Sequence, residues 1–68
     1  MRYCDLIHTV SKARAEYLAD VLKAAVTEAV YSGKAQGVSV TETLAVFSLT
    51  HQEREALQRE AIQRLRGM

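Results

Sequence analysis

Proline is absent from these 68 residues, cysteine occurs once and glycine three times. A single thiol, Cys4, excludes an intrachain disulfide. Cys4 together with the two histidines, His8 and His51, falls short of the four ligands of a structural zinc site within one chain. No apolar run approaches the roughly 20 residues of a membrane-spanning helix. The start, Met1-Arg2-Tyr3-Cys4-Asp5, has an early acid and no long apolar core, unlike a secretory signal. The expected location is therefore cytoplasmic, where a lone thiol suits a reducing compartment. An excess of charge of either sign is also missing. The formal charge is +1; residues 1–34 carry five basic and four acidic side chains, and residues 35–68 carry four of each. A domain that holds nucleic acid through its phosphates shows a clear basic excess, so that partner is disfavoured.

A chain this short forms one domain, residues 1–68, with a core that is marginal on its own. Small domains are commonly fastened by disulfides, a metal or a second subunit. With the first two disfavoured, the sequence points to the third. The lack of breakers between Ser11 and Ser32 gives the same message. Leu18, Val21, Leu22, Ala25, Val26, Ala29 and Val30 recur there at helical spacing. Only a narrow stripe of Lys12, Glu16, Asp20, Lys23 and Thr27 is polar. Such a helix is buried on most of its circumference. The expected architecture is all-α: a long N-terminal helix, a Gly-containing turn, and one or two shorter helices folded back, assembled as a helical homodimer.

The dimer expectation names residues. Leu18, Val21, Leu22 and Ala25 form its centre, with Val26 beside them and Phe47, Leu57 and Leu65 packed against it. Arg14 and Glu28 fall at the edge of the apolar face, where charge needs a partner. They are equidistant from Val21. Two antiparallel copies crossing at Val21 would set Arg14 of one beside Glu28 of the other, twice over.

The ends of the chain are read with alternatives. Tyr3, Leu6, Ile7 and Val10 fit a helical face continuing into the main helix, or an arm ahead of an N-cap at Thr9 or Ser11. Helix from Tyr3 is preferred. The main helix is expected to stop at Tyr31–Ser32, with Gly33 in the left-handed position beyond its end. For residues 38–47 two readings stand. Ser39-Val40-Thr41-Glu42 has the form of a capping box opening a helix from Val40 to Phe47. The β-branched Val38, Val40, Thr41, Thr43 and Val46 favour a strand. Helix is preferred, on the capping signal and the helical surroundings; a strand would have to pair, most simply with its own copy in a dimer, because no second strand is evident.

The last segment is clearer. Thr50-His51-Gln52-Glu53 is another capping box, and the helix should run to Arg66 before Gly67. Its acids come early and its bases late, in accord with the helix dipole. Glu55–Arg59 and Glu60–Arg64 are i,i+4 pairs in the favourable order. Leu57, Ala61, Ile62 and Leu65 form an apolar seam. The stretch Ser48-Leu49-Thr50-His51-Gln52-Glu53-Arg54-Glu55-Ala56-Leu57 resembles the opening of the helix-turn-helix domain of LuxR-type response regulators. There a Leu-Thr start precedes an acidic-basic-acidic helix. These ten residues mostly encode the capping box. The turn and recognition helix that complete such a domain do not follow between Gln58 and Met68, so we read a shared helix start.

Candidate chemistry is sparse. Cys4 and His8 lie four apart beside Asp5, as half of a metal site would, but the second pair of ligands is missing. Cys4 with either histidine lacks an oxyanion hole or a third orienting group. No catalytic, metal or cofactor site is expected. The expected function is a small non-enzymatic protein-interaction module. It would bind a larger protein as inhibitor, adaptor or regulator through a helical dimer surface. Tyr31, Lys34, Arg54 and Arg59 are the candidate partner-binding residues; tyrosine offers contact area at small entropic cost. The alternative is a small dimeric DNA-binding regulator using the last helix's arginines, Arg54, Arg59, Arg64 and Arg66. Glu53, Glu55 and Glu60 dilute that ridge.

Overall fold

A computed structural model describes residues 2–67, which form four α-helices and, among those residues, no strand. They are α1 (Tyr3–Thr9), α2 (Lys12–Tyr31), α3 (Gln36–Ala45) and α4 (His51–Arg66). The last three pack on one another, and α1 lies against α4.

The expected continuity from Tyr3 into the main helix is broken at Val10 and Ser11. Both residues have extended backbone, with ψ of 162° and 160°. The periodicity of Leu6, Ile7 and Val10 runs through this break, but Ser11 overrides it. Its hydroxyl oxygen accepts the Arg14 N–H at 3.2 Å, capping α2. At the other side Thr9 donates its hydroxyl to the Leu6 carbonyl at 2.8 Å, closing the last turn of α1.

Helix α2 ends where expected, but not by the expected device. No glycine among the described residues has positive φ, so Gly33 supplies no left-handed turn. Ser32 stops the helix instead. Its N–H still bonds the Glu28 carbonyl, while its ψ of 149° sends the chain outward. The Ser32 hydroxyl oxygen then accepts the Lys34 N–H at 3.0 Å, which stabilises the turn.

Helix wins over strand in the third segment, with a corrected start. It begins at Gln36, before the expected Val40, and Ala35 at its N-cap makes no side-chain cap. Ser39 is therefore no cap: it is buried inside the helix, and Glu42 reaches Lys34 Nζ at 2.6 Å instead. The short connection after Tyr31 fixes this earlier start. Val40 and Leu44 face the core, completely buried. Val38 and Val46 lie on the outside, where a β-branched residue costs a helix only a few tenths of a kcal/mol. The helix closes before Phe47, which is half-buried beyond its end.

Helix α4 follows its sequence signals closely. The Thr50 hydroxyl oxygen accepts the Glu53 N–H at 3.1 Å, and Glu53 Oε1 accepts the Thr50 N–H at 2.9 Å. This reciprocal pair satisfies two donors that a helix start leaves open. Glu60–Arg64 forms at 3.2 Å, but Glu55 turns to His51 at 3.1 Å instead of Arg59.

The core joins all four helices. Leu18, Val21, Leu22, Ala25 and Ala29 of α2 meet Val40 and Leu44 of α3 and Ala56, Leu57, Ala61 and Leu65 of α4. Leu6 of α1 completes it. Val26, Phe47 and Ile62 lie at its edge, partly buried.

Candidate functional site

The most elaborate polar contact joins the starts of α2 and α4. Arg14 sits in the first turn of α2 and Glu53 in the first turn of α4, each placed by its own cap. Arg14 Nε donates to Glu53 Oε2 at 2.9 Å, and Nη2 donates to Oε1 at 2.6 Å. Nη2 also donates to the Ser48 carbonyl at 3.0 Å. The guanidinium lies 4.8 Å from the centre of the Tyr17 ring, which meets Phe47 edge-on at 6.4 Å. The fork-to-fork geometry is among the strongest that charged side chains make.

Electrostatics follow from this geometry. The Arg14 hydrogen bonds hold the Glu53 carboxyl down at about 2, with help from the Thr50 N–H, against the opposing effect of burial. The same bonding raises the Arg14 guanidinium further above its ordinary range. Both Glu53 oxygens are engaged by the chain itself, so the pair is a fastening between elements. It offers a ligand no open acceptor.

The residues expected at a dimer interface are otherwise employed. Leu18, Val21, Leu22 and Ala25 are at most 1% exposed within a single chain, covered by α3 and α4. The apolar face that called for a second copy is closed intramolecularly. Arg14, expected to face Glu28 of a second copy, pairs with Glu53 of its own chain. Glu28 is exposed and lines a shallow groove between α2 and α3, with Ala24, Thr43 and Phe47.

The candidate partner-binding residues are spread over three places. Tyr31 is 84% exposed at the end of α2. Val30 on the same turn and Val38 on the first turn of α3 are 44% and 50% exposed. All three lie on the helix ends that flank the short turn between α2 and α3, which the Lys34–Glu42 ion pair spans at 2.6 Å. Arg59 belongs elsewhere. It lines an open cleft of about 960 Å³ between α1 and α4, with Arg2, Tyr3, Cys4, Ile62 and Arg66. Burial pushes the Tyr3 phenol up in pKa, opposed by the charge of Arg64. Arg54 is exposed on α4 and does not line this cleft.

The cleft escaped sequence reasoning because it depends on α1 folding back onto α4. The available signal was the break at Ser11, which permits that reversal. Among the described residues no three His, Cys, Asp or Glu side chains gather as metal ligands would. No helix is long and apolar enough to cross a membrane. No family model matches this chain, and no significant match to it was found among the curated proteins or the solved structures.

Proposed function

We propose that this chain is a small non-enzymatic protein-interaction module that binds a larger protein and acts on it as an inhibitor, adaptor or regulator. One observation carries the reading. Tyr31 stands almost wholly in solvent at the end of α2, with Val30 on the same turn and Val38 in the first turn of α3 also exposed; Val46, at the far end of α3, is the other exposed large apolar residue among the described ones. Scattered exposed apolar residues are ordinary, whereas a grouped set with a tyrosine suits a partner's pocket. Tyr31 is the anchor, Val30 and Val38 supply apolar contact, and the braced Lys34–Glu42 pair forms the polar rim. This surface stands on helix ends, so little conformational entropy is lost on binding. The α2 face is filled within one chain, so a second copy would contact outer surfaces.

The DNA-binding alternative retains one supporting observation: Arg54, Arg59 and Arg66 of α4 are exposed and have no ion-pair partner among the described residues. A pull-down from host lysate with the tagged wild-type chain and a Tyr31→Ser variant, each with and without nuclease, separates the two. A protein captured by the wild type after nuclease, and lost with Tyr31→Ser, supports the module. Capture that nuclease abolishes and Tyr31→Ser leaves intact overturns it in favour of nucleic acid.

A further inference from the structure

We infer that the cleft between α1 and α4 is a second docking surface, for an acidic amphipathic helix of a partner protein. The inference rests on the protein-interaction reading and gives it a partner chemistry. The cleft's cations are the first argument. Arg2, Arg59 and Arg66 line it, and none has an ion-pair partner among the described residues. Two carboxylates share its wall: Glu60 lies 3.2 Å from Arg64, and Glu55 lies 3.1 Å from the His51 imidazole. Three arginines against two carboxylates leave this lining with a small positive excess, concentrated at the arginine positions.

Spacing is the second argument. Arg59 and Arg66 are seven residues apart on α4, about 10.5 Å along its axis. A helix laid along the cleft repeats that spacing between its own residues i and i+7. Carboxylates at those two positions meet the two guanidinium groups together. Between the arginines the lining is Ile62 with Gln63 and Glu60 beside it, and Tyr3 and Cys4 lie across on α1. Apolar side chains at i+3 and i+4 of the incoming helix fit that floor.

The third argument selects protein over nucleic acid. Glu55 and Glu60 stand on the same wall as the arginines. A strand of regularly spaced phosphates cannot avoid both carboxylates and is repelled by them. A protein helix presents acids only where the arginines are and neutral or basic side chains opposite the glutamates. Arginine also suits carboxylates through its planar fork.

The test is direct binding, read by fluorescence anisotropy with labelled probes. One probe is a short helical peptide with glutamates at i and i+7 and leucines at i+3 and i+4. The others are the same peptide with lysines at i and i+7, and a single-stranded oligonucleotide of equal length. The wild type should bind the glutamate peptide. Arg59→Glu with Arg66→Glu should weaken that binding at least tenfold and bind the lysine peptide better than the wild type does. Arg54→Glu, outside the cleft, should change it less than twofold. Failure of the wild type to bind the glutamate peptide overturns the inference, as do equal losses in all arginine variants or tighter binding of the oligonucleotide. Circular dichroism of each variant confirms that its helices are intact. Capture of a partner through Tyr31 is a separate readout, so a failed cleft leaves the Tyr31 reading standing and a failed Tyr31 surface leaves the cleft testable.

Discussion

Glu53→Gln isolates the charge of the central ion pair while preserving the local fold. Glutamine occupies nearly the same volume, and it can still accept the Thr50 N–H, as residues at this capping-box position commonly do. What is lost is the charge that binds Arg14 through two hydrogen bonds. The carboxyl is held at about 2 against an ordinary value of 4.5. Each unit of such a shift is about 1.4 kcal/mol, which puts the ceiling on the linked stability at about 3 kcal/mol. Arg14 is a third exposed and solvent screens it, so we take about 1–2 kcal/mol as the working value. For a domain of this length, with total stability of about 3–10 kcal/mol, that is a substantial share.

The sign of the pH dependence is fixed by the lowered pKa. Folding favours the ionised carboxylate, so the contribution is complete above about 4.5 and disappears as the pH falls towards 2. Urea unfolding of wild type and Glu53→Gln at a series of pH values measures it. The variant should be less stable by about 1–2 kcal/mol at neutral pH, and the gap should narrow below about pH 4.5 and close as the pH reaches about 2. Adding Arg14→Met completes a double-mutant cycle. Because Glu53→Gln leaves a guanidinium without its anion, the second change should recover part of the loss, with a coupling of about 1–2 kcal/mol. A gap that does not vary with pH, or a coupling below about 0.5 kcal/mol, refutes the reasoning.

Two further perturbations test the core and the turns. Val21→Asp places an unpaired charge at a site 1% exposed, and it should unfold the chain, with loss of helical circular dichroism. A folded variant with reduced mass in sedimentation would instead mean that Val21 lies between subunits. Gly37→Ala should stabilise by about 0.4–1 kcal/mol and raise Tm by several degrees, read by thermal melting. Gly37 is helical without positive φ, and a Cβ there meets nothing within 4 Å. A lower Tm would show that the backbone at the start of α3 needs glycine.

The parts of the fold that were legible are those whose signals are local. Ser11 to Ser32 carries no breaker, and α2 spans that interval. Thr50 and Glu53 form the capping box that their spacing implies, because both partners lie within one turn. Leu57 and Leu65 are buried on the seam their spacing marks, and Leu18, Val21, Leu22 and Ala25 are core residues. The misreadings came from competition between local signals and packing. Ser39 and Glu42 have capping spacing, but the early start of α3 carries Ser39 into the interior. Gly33 follows a helix end, yet Ser32 had already turned the chain. Glu55 lies four residues from both His51 and Arg59 and takes the former. On the candidate surface, Tyr31 was legible as an exposed residue near a turn. The α1–α4 cleft was not, because a continuous first helix would never have brought Arg2 beside Arg66.

Arg14 shows how a demand for an anion, read from local sequence, is met from a distant element of the same chain. Its place at the edge of an apolar face demanded an anion, and Glu28 answered by symmetry about Val21 in two copies. Glu53 answers better within one copy, for a reason present in the capping box itself. A glutamate tied back to its own N-cap is already oriented before any tertiary contact forms. Docking that helix start against α2 presents an ordered carboxylate to the arginine, so little side-chain entropy remains to be lost. The resulting bond links positions 39 residues apart and also gathers the Ser48 carbonyl between α3 and α4. It thus fastens, within one chain, segments that a second subunit was expected to help hold. Because that fastening lies between the helices, Tyr31 and the arginines of the cleft remain on the outside, free of any part in closing the core.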